Sequence, residues 1–220
     1  MSNRLAIFDC DGTLVDSQAN ICMAMELAFE RAGLAPPPRE ATRRVVGLSL
    51  VEAMETLLPE AGTDQHREMA EAYKQAFTGM RGAGTVHEPL YDGIVETITA
   101  LDETGWLLGV ATGKSDRGLK FVLEAHGLTD RFVTLHTADR HPSKPHPSMI
   151  DACMADAGAS RESSVMIGDT TFDMAMARAA NVMAVGVAWG YHDPDELEAA
   201  GADVVIDSAH DLAAIIEELA

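Results

Sequence analysis

The stretch FDCDGTLVDS, Phe8–Ser17, places two carboxylates, Asp9 and Asp11, one residue apart at the end of a short apolar run. Residues i and i+2 of an extended strand share a face, so the spacing lets both acids converge on one point. Gly12 permits a sharp exit turn and offers backbone N–H groups suited to an anion. Turn propensity alone also explains an Asp-Gly pair. Paired acids of this kind therefore need support from elsewhere in the chain.

Three other segments supply it. VMIGDTTFDM ends a second apolar run in Asp169, with Asp173 four residues on. Clustered hard oxygen ligands suit Mg²⁺, which takes a few carboxylates and keeps several waters. An N-cap role at Asp169–Thr170 is compatible with that use. GVATGKS brings the Thr112 hydroxyl and the Gly113 N–H to a third strand end, where both suit phosphate oxygens; a plain polar turn is the competing reading. HPSKPHPSMI holds Lys144 among prolines, a rigid mount for a point charge, whereas an ordinary loop lysine is solvated.

Elements that would position these groups are visible in the hydrophobic pattern. Leu5–Phe8, Leu107–Ala111, Phe132–His136, Val165–Ile167, Met183–Val187 and Val204–Ile206 read as strands, several of them continuously apolar as in strands buried on both faces. Helical patterns at Gly93–Thr104, Ser115–His126, Pro147–Ala157 and Phe172–Ala180 alternate with them. The expected fold is α/β, a doubly wound parallel sheet, and ligands of such sheets bind at the carboxyl ends of the strands. From Ser17 to about Arg81 there is no strand pattern, only helical stretches, with Asp16 or Ser17 available as the first cap. The sequence thus divides into an α/β core domain, residues 1–15 and 84–220, and an inserted helical domain, residues 16–83.

Taken together and in this order, DxDGT, a strand-terminal Thr, K-P and GDxxxD resemble the haloacid dehalogenase superfamily of phosphohydrolases, in its phosphoglycolate-phosphatase-like branch. The likeness spans essentially the whole chain, and the helical insertion is similar in position to that branch's cap. The resemblance implies a phosphatase acting on a small phosphorylated metabolite, phosphoglycolate-like or a sugar phosphate. Asp9 would be the nucleophile that forms an aspartyl-phosphate. Asp11 would be the general acid and then the general base. Mg²⁺ would be held by Asp9, the main-chain carbonyl of Asp11, Asp169 and, directly or through water, Asp173. Thr112, Gly113 and Gly12 would meet the phosphoryl group, and Lys144 would bind it while holding Asp9 in place.

Asp11 argues against the dehalogenases of the superfamily, which need no proton donor there. A phosphosugar mutase of the β-phosphoglucomutase type keeps both aspartates and is the runner-up; its cap helix carries a His where this chain has Ile21. The segment ATRRVVGLSL occupies the place of the family's specificity loop. Arg43, Arg44, Gly47 and Ser49 are therefore expected near the substrate, with an arginine binding a second anionic group.

Composition narrows the partners. The chain has 220 residues, 47% of them hydrophobic, and a formal net charge of −19. Such a surface disfavours nucleic acid and anionic membranes, and no run approaches the roughly 20 apolar residues of a membrane span. Cys10, Cys22 and Cys153 form no CxxC pair and read as reduced thiols. A cytoplasmic protein, monomer or homodimer, is the expectation. His136, His141 and His146 do not match a zinc spacing, and Cys10 should point back into the core, since it alternates with the two acids.

Overall fold

The computed structural model describes residues 2–219. Six strands form one sheet: β1 (Asn3–Phe8), β2 (Trp106–Thr112), β3 (Thr134–Thr137), β4 (Ala159–Gly168), β5 (Met183–Val187) and β6 (Val204–Ile206). Their order is β3-β2-β1-β4-β5-β6 and every pairing is parallel. Chain order reverses beside β1, so the β1/β4 boundary is the topological switch point at which this architecture binds ligands.

Among the described residues ten α-helices accompany the sheet. Four follow β1 in succession and make up the helical insertion: α1 (Gln18–Arg31), α2 (Arg39–Arg43), α3 (Leu50–Leu57) and α4 (Thr63–Gly82). The others are α5 (Ile94–Glu103), α6 (Asp116–Ala125), α7 (Ser148–Ala157), α8 (Thr171–Ala180), α9 (Pro194–Ala199) and α10 (Ala209–Leu219). Among the described residues no helix is long and apolar enough to cross a membrane.

Period-two alternation in β1 builds two cores. Ala6, Phe8 and Cys10 face a cluster with Ile94, Ile98, Leu119 and Leu212, from α5, α6 and α10. Leu5 and Ile7 face the opposite cluster, with Met149, Ile150, Met174 and Ala177 from α7 and α8. Cys10 points into the first core, as its parity with Phe8 requires. The helical insertion has its own apolar centre in Met25, Phe29, Met54 and Met69. Helices α1 and α4 are amphipathic, and each buries its stripe against the other.

Several boundaries shift from the sequence pattern, and those of β4 and β3 have a visible cause. β4 begins at Ala159, because the polar segment Ala159–Ser164 extends the apolar run the pattern revealed. Side-chain hydrogen bonds among Ser160, Ser163 and Ser164 help hold it. β3 starts at Thr134 rather than Phe132, whose ring instead packs edge-on against Phe8 in the core.

Candidate active site

β1 ends at Phe8, and the chain carries Asp9 and Asp11 directly onto the switch point. The turn that follows is tight: the amides of Thr13, Leu14 and Val15 all donate to the Cys10 carbonyl, and Gly12 N–H donates to Val15 O at 2.9 Å. Gly12 adopts φ +87°, and a Cβ there would lie 2.1 Å from Asp169 Oδ2. Glycine is therefore needed for close approach of two strand ends. Its amide is consumed within the turn, so the expectation that Gly12 N–H meets an anion is corrected.

From β4 come Asp169 and, one helical turn into α8, Asp173. Asp169 accepts from the Thr13 hydroxyl at 2.7 Å and from Tyr191 N–H at 2.9 Å. Asp173 Oδ2 accepts from Thr170 N–H and Oγ1, while Thr170 caps α8 in return. Both carboxylates are fully buried, and glycines at 168 and 190 leave room that any Cβ would fill. Asp9, Asp169 and Asp173 offer ligand oxygens that all lie within 4.8 Å of one another.

Lys144 enters from the loop before α7. Its ammonium, 2% exposed as a residue, hydrogen-bonds Asp173 Oδ1 at 2.6 Å and sits 3.0 Å from Asp9 Oδ2. Its approach to Asp9 is off the line of a good hydrogen bond, so Asp9 Oδ2 is buried without an aligned donor. Burial opposes the charge on Lys144, but Asp173 and Asp9 outweigh it and hold its pKa above the ordinary lysine value. Burial raises the Asp9 carboxyl to about 6 despite the nearby lysine. Burial, reinforced by the charges of Asp9 and Asp173, raises Asp169 as well. Three acids facing one ammonium are short of positive charge. An oxygen-only donor set, one orphaned carboxylate oxygen and that charge deficit fit a hard divalent cation such as Mg²⁺.

Asp11 lies outside this cluster. Its Oδ1 accepts from Lys114 Nζ at 2.6 Å and from Ser17 Oγ at 2.5 Å, and Ser17 also meets the Tyr191 hydroxyl at 3.1 Å. Lys114 continues to Glu88 at 2.9 Å, which in turn pairs with Arg81 at the end of α4. Ser17 stands at the N-cap position of α1 but makes no capping bond, because its hydroxyl is committed to Asp11. The main-chain carbonyl of Asp11, the group expected to reach a metal, is free of the turn's backbone hydrogen bonds.

A cavity of about 310 Å³ opens above these residues, with Asp9, Asp11, Thr112, Gly113 and Lys114 on its floor. Thr112 eases the charge on Asp9 and accepts from Lys114 N–H at 3.2 Å. Gly47 brings the helical insertion down to the floor: its carbonyl would lie 2.5 Å from a Cβ on Gly113.

The other expected substrate contacts are placed differently. Thr42, Val45 and Val46, spaced i, i+3 and i+4 around α2 and its extension, face the cavity. That geometry turns Arg43 and Arg44 away, and neither lines the cavity. Arg44 instead pairs with Glu196 of α9 at 2.6 Å. Ser49 uses its N–H to dock on Ser143 Oγ at 2.8 Å, next to Lys144. The residues missed in the sequence are Lys114, Ser17, Thr13, Glu88, Arg81 and Tyr191. Lys114 had a signal, two positions beyond Thr112 at a strand end. Glu88 and Tyr191 had none, since only tertiary packing brings them here. The histidines form a separate network in which His136 Nδ1 meets His141 Nε2 at 2.8 Å and His136 Nε2 meets Asp156 at 3.0 Å.

Comparisons with known proteins show what the chain is similar to. A family model described as haloacid dehalogenase-like hydrolase matches residues 6–187. "Probable phosphatase IndB" of Dickeya dadantii is 36% identical over 206 residues, covering 93% of this chain and 89% of that protein. A phosphoglycolate phosphatase of Agrobacterium fabrum is 35% identical, over 92% of this chain and 88% of its own length. The crystal structure of a hydrolase from Pseudomonas syringae superposes with a TM-score of 0.86 at 27% identity, covering 100% of both chains.

Proposed function

The chain belongs to the haloacid dehalogenase-like hydrolase family and is a phosphoric monoester hydrolase, and from that premise we propose that it works through an aspartyl-phosphate on Asp9 with Mg²⁺ as cofactor. The observation that carries this reading is the convergence of Asp9, Lys144, Asp169 and Asp173 beneath a cavity whose floor also presents Asp11.

Asp9 attacks phosphorus, and the bond from phosphorus to the ester oxygen breaks. Asp11 gives its proton to that departing oxygen, so the alcohol leaves neutral. In the second half Asp11 takes a proton from water, whose oxygen attacks phosphorus, and inorganic phosphate leaves as Asp9 is regenerated. Lys114 and Ser17 hold Asp11 in one orientation through both halves. Lys144 keeps Asp9 in place and offsets the charge that gathers there, while Thr112 and the Gly113 N–H are set to receive phosphoryl oxygens. Asp9, Asp169, Asp173 and the Asp11 carbonyl would hold Mg²⁺, which neutralises phosphoryl charge when bound.

A mutase reading requires a proton-transfer group on the first helix of the insertion. That place is taken by Ile21, which lines the cavity with an apolar side chain, and this favours hydrolysis by water. The test is release of inorganic phosphate from a panel of phosphomonoesters by wild type and Asp9→Asn, with Mg²⁺ and with a chelator. Turnover is expected only for wild type with the metal. Multiple turnovers by Asp9→Asn would exclude Asp9 as the nucleophile.

A further inference from the structure

Groups that meet the phosphoryl unit cannot choose among substrates, because every phosphomonoester presents that unit. The upper wall of the cavity can. It is formed by Ile21, Met25, Val46, Tyr73 and Phe77, all from the helical insertion. Ile21, Val46, Tyr73 and Phe77 pack as one apolar cluster with Tyr191. The two rings, 5.9 Å apart between centroids and tilted by 44°, are half-buried and contribute to the cavity wall. At about 310 Å³ the space matches the lower range of sites that enclose drug-sized ligands, roughly 300–1,000 Å³. Most of it would hold only water above a two-carbon leaving group.

Charge points the same way. Lys144 is committed to Asp9 and Asp173, and Lys114 to Asp11 and Glu88. Arg81 pairs with Glu88 and lies 4.0 Å over the ring of Phe121. Lys74 and Arg117 border the cavity but are exposed to solvent, where their field is screened. Among the described residues, then, no buried cation of the cavity is free to receive a second anionic group, and bringing such a group in unpaired is costly.

Resting on the phosphatase reading above, we propose that the substrate is the phosphate monoester of a neutral alcohol bearing an aromatic or heteroaromatic ring, seated against Tyr73 and Phe77. Small esters that carry a second anionic group, such as phosphoglycolate, fit the floor but leave the wall unused and bring a carboxylate into an apolar chamber. The experiment measures kcat/KM of the wild type for benzyl phosphate, phosphoglycolate and acetyl phosphate with Mg²⁺. The first two are both alkyl esters, so their chemical steps are of similar difficulty. Benzyl phosphate is expected to be preferred over phosphoglycolate by at least about tenfold, and Phe77→Ala to reduce that ratio by about fivefold or more, as a missing apolar contact does. Equal or better use of phosphoglycolate by the wild type overturns the inference while leaving a phosphatase. An unchanged ratio in Phe77→Ala overturns the role of the ring wall. Failure to release phosphate from any of the three compounds, the activated acyl phosphate included, overturns the phosphatase reading and this inference with it.

Discussion

Replacing Lys144 with Met keeps the length of the side chain and deletes the single ammonium shared by Asp9 and Asp173, 3.0 and 2.6 Å away. At an effective dielectric near 20, one such pair is worth about 5–6 kcal/mol in Coulomb energy. Desolvation of the ammonium offsets part of that. Removing one partner of a buried pair generally costs about 3–5 kcal/mol, and here two carboxylates lose their counter-charge. The upper end, about 5 kcal/mol, is expected at pH 8, against a total stability of roughly 5–15 kcal/mol for a domain. The loss must depend on pH. Asp9 already titrates at about 6 with the lysine present, above its unfolded value of about 3.9, and without Lys144 it moves higher still. A carboxyl raised in the folded state binds the extra proton there, so stability falls as pH rises through that window. The variant's deficit against wild type should therefore be clearly smaller at pH 5, where Asp9 is protonated, than at pH 8, measured by urea unfolding in the presence of a chelator. With Mg²⁺, kcat should drop by about 10²–10³, the loss that follows removal of an electrostatic stabiliser. A stability deficit that is the same at both pH values, or a kcat within fivefold of wild type, would refute the electrostatic argument.

Lys114→Met should lower kcat most for alkyl phosphates, which depend on proton donation by Asp11, and least for aryl phosphates, a contrast read from kcat against leaving-group pKa. His192 is buried and its Nδ1 accepts from Thr171 N–H at 3.1 Å, and burial holds its pKa below the ordinary imidazole value. It therefore stabilises the fold above about pH 6.5 and loses that contribution as pH falls through its depressed folded value. His192→Asn keeps an acceptor but cannot titrate, so the fall in Tm between pH 7.5 and 5 should become shallower. Arg44→Ala removes only an exposed pair with Glu196, and KM for every substrate should stay within twofold of wild type.

The strand-end motifs were readable because their information is local. A run of apolar residues ending in DxD specifies, by the period of two alone, that both acids leave the strand on one side and that Cys10 leaves on the other. The break in strand rhythm after Phe8 likewise marked the helical insertion, since apolar residues at i, i+3 and i+4 cannot be laid along a two-sided strand. The arginines of ATRRVVGLSL misled for the same reason in reverse. Sequence shows that a cation is near a loop, but the rotation of a five-residue helix decides which way it faces.

What the sequence by itself determined was the set of chemical groups and the edge of the sheet that carries them: paired acids, a strand-end threonine, a proline-mounted lysine and a second acidic pair. What only the tertiary structure decided was which charges neutralise which. Lys114 lies 103 residues from Asp11 and Tyr191 lies 174 from Ser17, and no local pattern encodes distances set by the packing of separate elements. The same packing turns Arg44 outward to Glu196 and leaves the roof of the cavity to Tyr73 and Phe77. Residue type and spacing fix what a group can do, whereas Coulomb and packing energies depend on the positions of partners that only the folded chain supplies.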